Sequence, residues 1–213
     1  MKKNVVKVLC GLEVCSVLLA MGIENSALAA NPCGEGVDGY ICCGKNHTFG
    51  HNKYLPSVGG GYKGVKFYNI SGFSSTQKKS VENAIAAWNS TIEKGNIGQY
   101  ILLMESASNL AITIKDAPLE SGYYGITFFY NSGGGSVGID AAGALKDAYS
   151  KAEIYIDASK GYVKRVAGHE MGHALGLSHK YCNINSIMYN YVDEVKVTTA
   201  QSGDELTARH IYC

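Results

Sequence analysis

Residues 169–179 read HEMGHALGLSH, and the chain is best read outward from there. His173 and His179 follow His169 at four and ten residues, with Glu170 beside the first histidine and Gly176 between the other two. On an α-helix, residues four apart lie about 40° apart around the axis and about 6 Å along it. His169 and His173 can therefore aim their imidazoles at one ion. Glu170 then sits beside that ion, where it can hold a water. Gly176 lets the chain leave the helix sharply, since glycine accepts a positive φ without strain. The turn carries His179 round as a third ligand. Three protein ligands leave the fourth position of a zinc ion open, which marks a catalytic site and not a structural one.

The plainer reading is three unrelated histidines. From average residue frequencies, the five fixed positions arise by chance on the order of once in 10⁵ chains of this length. A zinc site kept only for structure would have no use for the carboxylate of Glu170. The expected chemistry is hydrolysis. Zinc lowers the pKa of bound water from about 15.7 towards ~7 and polarises a scissile carbonyl. Glu170 takes the water proton as general base and delivers it to the departing amine. The metal stabilises the oxyanion, and no serine or cysteine nucleophile is needed.

Upstream of the motif the pattern mixes strands and helices. Residues 64–70 (GVKFYNI) read as a short strand. Ser74 or Ser75 can cap a helix running to about Lys94, closed by Gly95, with Val81, Ala84, Ile85, Trp88 and Ile92 on one apolar face. On that face Trp88 reads as core and not as a ligand platform. Strands follow at 100–104, 110–115 (LAITIK), 124–130 (YGITFFY) and 152–157 (AEIYID). The glycine-rich residues 131–143 between the last two read as a mobile connection. A helix from about Gly161 to Leu175 carries the motif. A last helix spans about 203–211, with Ser202 as cap and Glu205 completing a capping box.

The N-terminus reads as an export signal. Lys2, Lys3 and Lys7 precede an apolar stretch at 14–23, and Ala27-Leu28-Ala29 is a small-residue cleavage pattern. Glu13 interrupts the apolar region, whose remainder is shorter than the roughly 20 residues a membrane helix needs. The expected organisation is a signal peptide at residues 1–29, with an uncleaved anchor as the alternative, a Cys- and Gly-rich segment at residues 30–61 that could serve as a short propeptide, and one catalytic domain at residues 62–213. Neither Cys10 nor Cys15 has a lipidation context. With the signal removed, acidic and basic side chains are equal in number, and no basic cluster remains to attract nucleic acid or an anionic membrane. Cys33, Cys42, Cys43, Cys182 and Cys213 would meet an oxidising compartment, and their odd number leaves one over. Cys182 with Cys213 is the expected pair; a loop of that length stabilises by roughly 3–4 kcal/mol. His47 and His51 are four apart but lie in a loop, and read as surface residues.

H-E-x-x-H-x-x-G-x-x-H resembles the zinc motif of the metzincin metallopeptidases. Met188, in Ser186-Ile187-Met188-Tyr189, resembles the Met-turn whose methionine lies beneath the metal; without the zinc motif it would read as ordinary core. Among metzincins the wording "ALGLSH…SIMY" resembles the matrixins, and the order of elements agrees from Gly64 to the C-terminus. The resemblance implies an α+β, metzincin-like fold: a twisted, mostly parallel sheet with an antiparallel edge strand, a long zinc-binding helix, a Met-turn and a C-terminal helix. It implies a secreted zinc endopeptidase acting on extended protein or peptide substrates, which add as a strand near 125–130. It also implies an S1′ pocket walled by residues 189–192.

Three departures accompany the likeness. Asn190 stands where matrixins usually have proline, and where some metzincins carry a tyrosine ligand; Tyr191 is its neighbour. No histidine lies between His51 and His169, so the second, structural zinc of animal matrixins is not expected. Asn31-Pro32-Cys33-Gly34 lacks the arginine of the family's cysteine switch, and a disulfide is the better reading of Cys33. Calcium is open: Asp116, Asp140 and Asp157 could contribute but read as loop carboxylates. The expectation is a monomeric, secreted or envelope-associated enzyme. It binds one catalytic zinc through His169, His173 and His179, with Glu170 as the base. Two rivals stand beside it: another metzincin branch with the same chemistry and a different pocket, and a secreted binding or adhesion module with a vestigial zinc site.

Overall fold

A computed structural model describes residues 41–42, 45–46, 48–50, 54–57, 64–94, 101–108, 110–140, 143–180, 184–191 and 197–212. The expected signal peptide, Cys33 with its switch-like context, His47, His51, Gly95, the Cys182–Cys213 pair and Val192 lie outside these residues. Two short strands, β1 (Ile41–Cys42) and β2 (Lys45–Asn46), pair antiparallel near the start. The domain proper is built from β3 (Gly64–Ser71), α1 (Ser75–Lys94), β4 (Ile101–Glu105), β5 (Ile112–Asp116), β6 (Gly125–Tyr130), β7 (Ser136–Val137) and β8 (Lys151–Ile156). A 3₁₀ turn (Ala158–Lys160) leads to α2 (Val163–Ala174), and α3 (Ser202–Tyr212) closes the chain. Among the described residues no helix is long and apolar enough to cross a membrane.

Six strands form one sheet in the order β4-β3-β5-β8-β6-β7. The first four run parallel, while β6 runs antiparallel to β8 and β7 antiparallel to β6. This is the expected α+β architecture, mostly parallel with an antiparallel edge. The reason lies in the period-two alternation of the strands. Tyr68, Ile112, Ala152, Phe129 and Val137 stand opposite one another across the sheet, and all are buried. Ile70, Ile114, Ile154 and Thr127 form the neighbouring row. Both rows face the helices.

Helix α1 buries Val81, Ala84, Ile85, Trp88 and Ile92, the face its spacing predicts. Ser74 caps it: the Gln77 amide donates to Ser74 Oγ, and the Ser74 amide to Gln77 Oε1 at 3.0 Å. Trp88 is core, and its indole donates to the Gly168 carbonyl of α2 at 2.8 Å. Asn89 bonds the backbone of Leu103 in both directions, covering the edge strand β4.

Two expectations need correction. Residues 131–143 are not a bare connection, since they contain β7 and a bridge between Ile139 and Leu145. The cap of α3 is one residue earlier than its Ser-x-x-Glu pattern suggested. Ser202 is already helical, and the Asp204 and Glu205 amides donate to the Gln201 carbonyl. Asp204 returns the bond by accepting from the Gln201 amide at 2.9 Å.

Part of the N-terminal segment enters the core. Phe49 and Leu55 are buried, the Phe49 amide donates to the Gly176 carbonyl at 3.0 Å, and Thr48 bridges Leu177. The Phe49 ring packs edge-on to Phe129 and lies 5.6 Å from the His173 ring.

Candidate active site

Helix α2 is buried from Arg165 to Ala174, so its polar side chains owe their place to partners and not to solvent. It ends in a Schellman turn. The Gly176 amide donates to the His173 carbonyl at 2.8 Å and the Leu177 amide to the Gly172 carbonyl at 3.0 Å. Gly176 has φ +96°, the left-handed conformation its position requires. The reversal brings His179 back over the helix, so the three histidines assemble: their ligand atoms lie within 4.8 Å of one another, the one such group of potential metal ligands among the described residues.

The ring tautomers follow from the backbone. His169 Nδ1 lies 2.8 Å from the Ile187 carbonyl and His173 Nδ1 2.8 Å from the Leu177 carbonyl. A carbonyl only accepts, so each Nδ1 carries the hydrogen and each Nε2 presents a lone pair. His173 Nε2 stands 3.0 Å from His169 Nε2 and 3.2 Å from His179 Nε2. Three nitrogens around a tetrahedral zinc at about 2.0–2.1 Å would be separated by about 3.3 Å. Converging lone pairs this close repel unless a cation lies between them, so the residues fit a zinc ion. Burial lowers His173 to about 4 and holds His169 well below its usual range, which keeps both rings neutral and able to ligate.

Glu170 is fully buried. Burial raises its carboxyl to about 8, against the opposing effects of a hydrogen bond from Thr127 and the charge of Arg165. A dication beside it would restore the ionised form. Oε2 accepts from Thr127 Oγ1 at 2.7 Å, while Oε1 has no hydrogen-bond partner.

Beneath the histidines, Ser186 to Tyr189 form a turn closed by the Tyr189 amide on the Ser186 carbonyl. Met188 is fully buried against Gly172, where a β-carbon would overlap its sulfur. Asp204 pins the turn, accepting from Ser186 Oγ and from the Ile187 amide at 3.0 Å. Lys180 is buried 3.6 Å from the same carboxylate. Arg165 donates to the Tyr189 carbonyl at 2.7 Å. Asn190 is buried with both amide atoms lacking a hydrogen-bond partner.

The calcium candidates are engaged in local bonds. Asp116 accepts from the Ala158 amide, and Asp140 from the Ala144 amide. Asp157 accepts from Leu119 and Ser159 and pairs with Lys160. Burial would raise the Asp157 carboxyl, but these bonds outweigh it and hold it at about 2.

Thr127, Arg165 and Asp204 escaped the sequence reading. Thr127 alone had a signal: a hydroxyl in the inward phase of an otherwise apolar strand.

A mixed sheet backing a helix, with three convergent imidazoles over a methionine turn, is the arrangement of a metzincin-type zinc metallopeptidase. The chain belongs to the matrixin family, whose model matches residues 62–213. Among solved structures, metalloproteinase-II from Bacteroides fragilis is similar at 16% identity and a TM-score of 0.42, over 70% of this chain and 54% of that one. The chain therefore spans about half the length of that protein. No curated protein matches the chain.

Proposed function

We propose that this matrixin is a secreted, monomeric zinc endopeptidase in which His169, His173 and His179 hold the metal, Glu170 is the general base and Met188 underlies the site. The observation that carries the reading is the convergence of three Nε2 atoms, two of them fixed as lone pairs by their Nδ1 bonds, beside a buried carboxylate with one oxygen unpartnered. Zinc, when bound, supplies a Lewis acid that acidifies water and polarises the scissile carbonyl. Glu170 Oε1 is free to take the proton and pass it to the leaving amine. The carbonyls of Ile187 and Leu177 orient the imidazoles through Nδ1.

An extended substrate would lie along β6. β7 pairs only with Phe129 and Tyr130, so residues 125–128 have no strand partner on that side among the described residues. By the family resemblance residues 189–192 would wall the pocket for the side chain after the scissile bond, and the unpartnered amide of the buried Asn190 supports a polar contribution there. Residues 1–29 act as the export signal.

The test is hydrolysis of a mixed peptide library by the exported protein, beside Glu170→Ala, with zinc measured in both. Cleavage by the parent, lost in a variant that keeps its zinc, is the expected result. Zinc in both with cleavage by neither, also after trimming the N-terminal segment, would sink the enzyme reading in favour of a binding module.

A further inference from the structure

We infer that Thr127 is a positioning residue for Glu170, a role that rests on the peptidase reading above. Thr127 stands in the row of Ile70, Ile114 and Ile154 on the helix-facing side of the sheet. A hydroxyl in that row needs a partner, because an unmade hydrogen bond away from water is costly. Its single hydrogen has two acceptors in reach: Glu170 Oε2 at 2.7 Å and the Glu170 carbonyl at 3.3 Å. The shorter contact is to the carboxylate.

The same strand spares the other oxygen. At Gly125, two residues earlier on the same face, a β-carbon would fall 2.9 Å from Oε1 and 2.8 Å from Cγ of Glu170. Gly125 thus leaves Oε1 room, while Thr127 grips Oε2. The terminal torsion of a glutamate is soft and roughly two-fold, so the packing of its stem does not orient the carboxylate plane. An anchor on one oxygen does. β6 therefore sets which oxygen is held and which is left without a partner, and it borders the site where substrate would add.

The experiment compares Thr127→Val, which keeps the shape and removes the hydroxyl, with Thr127→Ser, which keeps the hydroxyl. Each is measured as the zinc-loaded full chain for kcat, KM and zinc content, and crystal structures of the parent and Thr127→Val are solved. A hydrogen bond to a charged group is worth about tenfold or more in rate when it acts on the transition state. Thr127→Val is expected to lose about that factor in kcat with KM nearly unchanged and zinc retained. Its Glu170 carboxylate should be rotated or disordered, and Thr127→Ser should recover most of the loss. Parental kcat in Thr127→Val, no recovery in Thr127→Ser, or a loss confined to KM overturns the inference. If the parent itself cleaves no peptide, the peptidase reading fails separately. The carboxylate then decides: displacement in Thr127→Val upholds the positioning role, and an unchanged carboxylate ends it.

Discussion

Lys66 occupies a core position on β3, opposite Leu103 of β4 and on the same face as Tyr68. Its ammonium donates to Ser57 Oγ at 3.1 Å and lies 4.8 Å over the ring of Tyr212. Burial lowers its pKa from 10.5 to about 7. Between those values the unfolded chain binds a proton that the folded chain has released, so this group makes stability rise with pH from about 7 upward. Below pH 7 the folded state bears the whole cost of a buried charge. Lys66→Met is therefore expected to be more stable than the parent at pH 6, with the advantage shrinking towards pH 10. Denaturant unfolding across that range checks it; a gain independent of pH would contradict the account. Lys66 was not legible in the sequence, and Thr127 showed only as a hydroxyl in an apolar phase, with nothing to say what it meets. Each takes its meaning from residues distant in the chain, Lys66 from Ser57 and Tyr212 and Thr127 from Glu170 on α2, which local pattern does not reveal. His169, Glu170, His173, Gly176 and His179 were legible because a helix and one turn suffice to relate them.

At the scale of elements, the methionine turn is held from outside itself. Asp204 accepts from Ser186, Ile187 and Gln201 and stands beside the buried Lys180. The Ser-x-x-Glu pattern at 202–205 pointed to a cap one residue later. The turn draws Asp204 inward, and Gln201 becomes the cap instead. Asp204→Ala leaves Lys180 buried without its counter-charge and should cost about 3 kcal/mol or more. Because Ile187 orients His169, zinc affinity should fall about 10-fold or more as well. Thermal unfolding and competition with a zinc chelator measure the two effects; unchanged affinity would show that the turn does not support the site.

The contact between β6 and α2 gives a second prediction at this scale. A β-carbon at Gly125 would lie 2.5 Å from Val166 Cγ1, so Gly125→Ala must push strand from helix. A loss of about 1–3 kcal/mol is expected, seen in chemical denaturation.

Across the whole molecule, the folded core reaches further upstream than the strand at Gly64. Phe49 joins Phe129, His173 and the turn at Gly176, and Leu55 donates its amide to the Tyr212 hydroxyl at 3.3 Å. A chain beginning after Ser57 should unfold at lower temperature than one beginning before Thr48, and Phe49→Ala should cost about 3 kcal/mol. Equal melting temperatures for the two truncations would contradict this. These long-range contacts lie in a segment without periodicity, which is why the sequence left its place open. The α+β class and the mostly parallel sheet, in contrast, followed from the order of elements and the resemblance to the metzincins. The two-residue β7 is too short to show a pattern of its own.

The central claim is that the three histidines share one zinc with Glu170 standing outside its ligands. Anomalous diffraction at the zinc edge tests it most directly. The account predicts one peak about 2.0–2.1 Å from Nε2 of His169, His173 and His179, with Nδ1 still on the Ile187 and Leu177 carbonyls. A zinc-loaded crystal with no peak there, or with Glu170 bound as a ligand, would contradict it.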